Sequence, residues 1–85
     1  MQPSLGRIVH VLVSPSQNNG SDVAPAIITR VWSDEMVNVR VMLDTLSMPL
    51  SLTSVKLVAT EDDARALFAP AGYPVLPVAF WPPRV

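Results

Sequence analysis

From Arg7 to Val13 the chain reads RIVHVLV, with Val9, Val11 and Val13 on one face of an extended segment and Ile8, His10 and Leu12 on the other. Alternation with a period of two among β-branched residues predicts a first strand. Residues 14 to 25, SPSQNNGSDVAP, carry Ser, Asn, Gly and Pro without apolar periodicity and predict a long exposed loop, a length that in small domains often has a function. AIITRVW (26–32) is a second β-rich run, SDEM supplies turn chemistry, and VNVRVML (37–43) alternates with Val37, Val39, Val41 and Leu43 on one face. Together they predict a hairpin spanning roughly residues 26 to 43, buried on one side and wetter on the other.

After the turn DTLSMP, the run LSLTSVKLV predicts a fourth strand whose apolar phase shifts between Leu52 and Val55, so a bulge is expected near Thr53 and Ser54. TEDDARALF then changes period. Thr60 is suited to cap a helix, Asp63 stands in the capping-box position, and Ala64, Leu67 and Phe68 form a helical stripe that Pro70 and Gly72 end, predicting a helix over residues 61–68. The outline is all-β: a small SH3-like or related five-stranded barrel with one short helix, and an extended Pro-rich C-terminal arm. The barrel is expected to occupy residues 1–72 and the arm residues 73–85.

That arm, YPVLPVAFWPPRV, holds four prolines and no charge before Arg84. The uncharged run from Ala66 to Pro83 approaches membrane-spanning length, but its prolines prevent the self-satisfied helix that lipid requires, so no membrane role is expected. Prolines also keep the segment out of the middle of a sheet. An ordered arm is expected, packed partly on its own barrel and partly on another subunit, with Tyr73, Val75, Leu76, Phe80 and Trp81 as apolar anchors. Trp32 is open to a place in the barrel instead.

Composition sharpens the expectation of a subunit contact. Of the 85 residues, 49% are hydrophobic and 15% charged, where soluble domains average about 25% charged. A chain of this size buries only about 60% of its unfolded surface, so the excess apolar area points to homo-oligomers or other protein partners. Net charge is −1 and the basic residues Arg7, Arg30, Arg40, Lys56, Arg65 and Arg84 are scattered, which argues against a nucleic-acid partner. Cysteine is absent, so no disulfide supports the fold.

Candidate chemistry is sparse. His10 is the sole histidine, and with no Cys and no second His beside it neither a metal set nor a nucleophile-base pair is expected. Glu61, Asp62 and Asp63 lack the spacing of a calcium loop and are explained by helix capping and dipole compensation. Asn19-Gly20-Ser21 fits the glycosylation acceptor pattern, but the N-terminus carries no leader pattern, so modification is not expected. No catalytic residue, cofactor or metal is expected, and the chain is read as a non-enzyme. Within the long loop, Gln17, Asn18, Asn19, Gly20 and Asp22 are the candidates for contacting a partner.

GRIVHVLV (6–13), QNNG (17–20), APAIITRVW (24–32), VNVRVMLD (37–44), TSV (53–55) and the terminal FWPPRV resemble, in order, a group of small bacteriophage-encoded proteins without an established activity. Their pattern has a G-R-I-V-H-Y strand, an N-G loop, an R-P-A-I run ending in V-W, a V-N-L strand and a terminal W-H-W-P. Val11 stands where the pattern has an aromatic, and residues 59–77 look like an insertion. The resemblance implies a phage setting: a structural protein of the virion, such as a capsid decoration or cement subunit bound to other phage structural proteins, possible partners including the major capsid protein. Its location would be the virion, after the host cytoplasm during assembly. The alternative is a small adaptor or regulatory module that binds a host or phage protein through the 14–25 loop. If the arm is a virion interface, deleting Tyr73 to Val85 is expected to leave a soluble or partly folded protein that no longer joins particles.

Overall fold

The computed structural model describes residues 2–44, 50–67 and 77–83. Five strands and one helix follow in order: β1 (Ile8–Leu12), β2 (Val23–Ser33), β3 (Met36–Val41), β4 (Leu50–Val58), α1 (Glu61–Ala66) and β5 (Val78–Phe80). They form a closed barrel in sequence order, with β5 returning to β1. Every adjacent pair is antiparallel except β4 and β5, which run parallel through Lys56↔Val78, Leu57↔Ala79 and Val58↔Phe80. An odd number of strands cannot close with strict alternation, so one parallel pair is a geometric necessity. A parallel pair needs a crossover of about a dozen residues or more. The connection from Ala59 to Pro77, which contains α1, supplies it.

The period-two pattern selects what enters the barrel. Val9, Val11, Ala24, Ala26, Ile28, Val37, Val39, Val41, Val55, Leu57 and Ala79 are all buried in one cluster. Across β1 and β2 the alanines face the valines, Val9 against Ala26 and Val11 against Ala24, so small and larger side chains alternate inside a narrow barrel. A second buried cluster lies outside it, where Leu12, Val78 and Phe80 pack with Ala64 of α1. Both faces of β5 are therefore covered, Ala79 by the barrel interior and its neighbours by the helix side.

This corrects the expected boundary between a barrel at 1–72 and an arm at 73–85. Val78–Phe80 are the strand that closes the barrel, held between β1 and β4. Pro77 and Pro82 flank this strand without interrupting it, which is how a proline-rich segment can still supply an interior strand. Phe68, Pro70, Gly72, Tyr73, Val75 and Leu76 lie outside the described residues.

Other expectations meet the structure closely. Between Val37↔Val55 and Val39↔Leu52 the single residue Asn38 faces Thr53 and Ser54, and Ser54 takes a φ of 53°, which is the bulge that the phase shift predicts. The expected hairpin is longer than residues 26–43, because β2 begins at Val23. Pro25 is accommodated within β2 because β3 has already ended: its carbonyl accepts from the Met42 N–H at 2.9 Å, and no ladder there asks for the donor it lacks. Thr60 caps α1, its Oγ1 accepting from the Asp63 N–H at 3.1 Å. Acids fill the first turn as the dipole favours.

Candidate interaction surfaces

The long loop is built around a buried side chain. Asn18 is almost fully buried; its Nδ2 donates to the carbonyls of Ser21 (3.1 Å) and Val23 (3.0 Å), and its Oδ1 accepts from the Asp44 N–H at 2.6 Å. A short 3-10 turn at Pro15–Gln17 precedes it, and Asn19 (φ 54°) and Gly20 (φ 94°) carry the reversal in left-handed conformations that suit those two residue types. Asp22 is tied to the helix: Arg65 Nη1 and Nη2 donate to its two carboxylate oxygens at 2.8 and 3.3 Å, and Arg65 Nε donates to Glu61 Oε2 at 2.8 Å. Of the five candidate loop residues, Asn18 is thus buried within the fold and Asp22 is held in a surface ion pair with Arg65. Gln17, Asn19 and Gly20 remain exposed on a loop anchored at both ends.

Hydrogen bonds from Arg65 hold the Asp22 carboxyl below the usual carboxylate range, with charge attraction adding to the effect and slight burial opposing it. A carboxyl group whose folded pKa is depressed stabilises the fold fully above its unfolded value, and that stabilisation fades as pH falls through the folded value. Both side chains are more than two-fifths exposed, so solvent screening limits the pair to below about 1 kcal/mol. Asp22→Asn is expected to lower stability by that small amount at neutral pH and to match the wild type once Asp22 is protonated. Urea unfolding at a series of pH values checks this; a deficit that persists in acid would sink the account.

The expected tail anchors divide three ways. Phe80 is fully buried (0% exposed) in its own subunit, against Leu12 and Ala64 and edge-on to His10 at 5.7 Å between ring centroids, so it is not available to a partner. Trp81 is partly buried against the barrel cluster, with the Arg7 guanidinium 5.4 Å from its ring centroid. Tyr73, Val75 and Leu76 lie outside the described residues. Around Trp81 the surface is concave: an open depression of about 500 Å³ is lined by Ala59, Thr60, Glu61, Asp62, Trp81, Pro82 and Pro83. A second depression extends it past Trp81 to Asp34, Glu35, Lys56 and Asp63. Among the described residues, no group of three or more His, Cys, Asp or Glu could hold a metal ion.

Sequence reasoning missed the outer face of β1, β2 and β3. Ile8 stands opposite Ile27, and Ile27 opposite Arg40, so all three share one outward row. Pro25 lies opposite His10 and is bonded to Met42 in the next row. Ile8 is 47% exposed, Met42 44% and Ile27 38%. The signal was the pair Ile27-Ile28: adjacent residues of a strand point to opposite faces, so one of two isoleucines had to point outward.

At the far end of β2, Trp32 is half exposed yet fixed. Its Nε1 donates to Asn38 Oδ1 at 2.8 Å, and the Arg30 guanidinium lies 3.9 Å from its ring centroid. The same Asn38 oxygen accepts from the Ser54 N–H at 2.8 Å, so one side chain both fills the β4 bulge and orients the indole. No family model matches the chain, and no curated protein or solved structure matches it.

Proposed function

We propose that the chain is a non-enzymatic bacteriophage structural protein, a capsid decoration or cement subunit or another subunit at a virion interface. The observation that supports it best is the outward row of Ile8 and Ile27 with Met42 and Pro25 beside it. A barrel that already encloses its valines gains nothing from holding these residues in water, and contiguous exposed apolar surface of this kind marks protein contacts. The low charge of the chain suits a repeated, symmetric contact, and the sequence resemblance supplies the phage setting.

The test is direct. Mass spectrometry of purified particles of the encoding phage is expected to find the protein in many copies, and Ile27→Asp is expected to be depleted from particles while its circular dichroism and melting stay close to wild type. A protein absent from purified particles would sink the proposal. The adaptor reading has its own support in the exposed Gln17, Asn19 and Gly20 on a firmly held loop. It expects substitutions at these three residues to abolish partner capture while particles assemble normally.

A further inference from the structure

The outer face of β1–β3 is apolar and basic at once. Arg40 follows Ile8 and Ile27 in the same row, Arg30 lies further along β2 on Trp32, and neither arginine makes an ion pair among the described residues. Two such faces laid against each other would desolvate like charges together, which costs binding energy rather than supplying it.

Elsewhere the same molecule presents the complementary chemistry. The depression beside Trp81 has an apolar floor of Trp81, Pro82 and Pro83; its rim carries four carboxylates, Asp34, Glu35, Asp62 and Asp63, none of them ion-paired among the described residues, against Lys56 on the rim and Arg7 over the Trp81 ring, so acid predominates. It is lined by the β2–β3 turn, the end of β4, the start of α1 and the residues after β5, and shares no residue with the row of Ile8, Ile27 and Arg40. An exposed strip of isoleucine, methionine and arginine therefore has, on a second copy, an aromatic and proline depression whose rim is mainly carboxylates.

We propose that copies of this chain associate head to tail, the β1–β3 face of one seated in the Trp81 depression of the next. This rests on the reading of the chain as an assembling structural subunit and specifies its contact. Head-to-tail contacts are heterologous: they close into a ring when the rotation per subunit allows and extend into a filament when it does not.

The experiment uses the full chain and two variants, one with the sheet face spoiled by Ile27→Asp and one with the rim reversed by Asp34→Lys and Asp62→Lys. Arg40→Glu serves as a second face variant should Ile27→Asp unfold. Sedimentation over a concentration series is expected to show self-association of the wild type that weakens with salt, and monomers for each variant alone. An equimolar mixture of a face variant and the rim variant is expected to give a one-to-one dimer that grows no further, because only one good pair of surfaces remains. A rim variant that still associates like the wild type, a mixture that stays monomeric, or a wild type monomeric at all concentrations would each overturn the inference. Failure of the two proposals is distinguishable: a monomer found on particles overturns only the head-to-tail contact, whereas a self-associating protein absent from particles overturns only the virion role.

Discussion

Truncation after Pro77 is expected to abolish the cooperative unfolding of this protein. The deletion removes β5, whose Val78, Ala79 and Phe80 are all buried, and leaves the facing edges of β1 and β4 without a partner. Loss of a buried phenylalanine side chain alone costs about 3–5 kcal/mol. Small domains hold only about 5–15 kcal/mol in total, and this one has no disulfide to fall back on. Three buried residues and two ladders exceed what remains. Amide proton NMR is expected to show a collapsed, poorly dispersed spectrum for the truncated chain, and urea unfolding a broad transition. A dispersed spectrum with a sharp transition would show that β1–β4 and α1 are self-sufficient. Phe80→Ala in the full chain, losing about 3–5 kcal/mol by the same reasoning, separates the loss of core from the loss of strand pairing.

Asn18→Ala is expected to be the most damaging substitution in any loop, at about 2–4 kcal/mol, since each buried polar group left without a partner costs about 1–3 kcal/mol. Its amide satisfies the carbonyls of Ser21 and Val23 and the Asp44 N–H together, joining the long loop to the chain that follows β3. Alanine would leave the Asp44 N–H and the Ser21 carbonyl without this partner, while the Val23 carbonyl keeps the Ser21 Oγ at 3.1 Å. Asn18→Asp is a sharper probe: a carboxylate keeps the acceptor for Asp44 but turns an oxygen toward two carbonyl oxygens, so it is expected to be no better than alanine at neutral pH. Urea unfolding gives the stability, and hydrogen exchange at the Asp44 amide gives the local consequence. If Asn18→Ala unfolds like the wild type, the loop does not depend on this side chain.

The parts of the fold legible in the sequence were those governed by a local period. Val37, Val39 and Val41 announced a half-buried strand, the phase slip between Leu52 and Val55 announced the bulge, and Thr60 with its following acids announced the helix start. β5 was illegible for a physical reason. A strand covered on both faces shows no alternation, and three apolar residues between prolines carry no period at all. The role of Asn18 was equally hidden, because a polar residue in a polar loop becomes a buried linchpin only when a segment from beyond β3 arrives beside it. The sheet face could have been read from Ile27-Ile28, but its meaning depends on register: only pairing with Ile8 and Arg40 makes one exposed isoleucine part of a surface.

The parallel β4–β5 pair gives the barrel a seam. Strands β1 to β4 form a meander whose neighbours are joined directly, so those pairings can form by local closure. The seam pairs Val58 with Phe80, and Phe80 also pairs with His10 of β1, so both ladders of β5 are made only after the crossover has brought it back beside the first strand. Closing so long a loop is the slow, entropically costly part of folding a barrel. Its cost grows only with the logarithm of length, so doubling the crossover would add only about 0.6 kcal/mol. The crossover is therefore a place where this fold can lengthen at little energetic penalty, provided α1 keeps Ala64 against Phe80, while β5 itself must stay as it is.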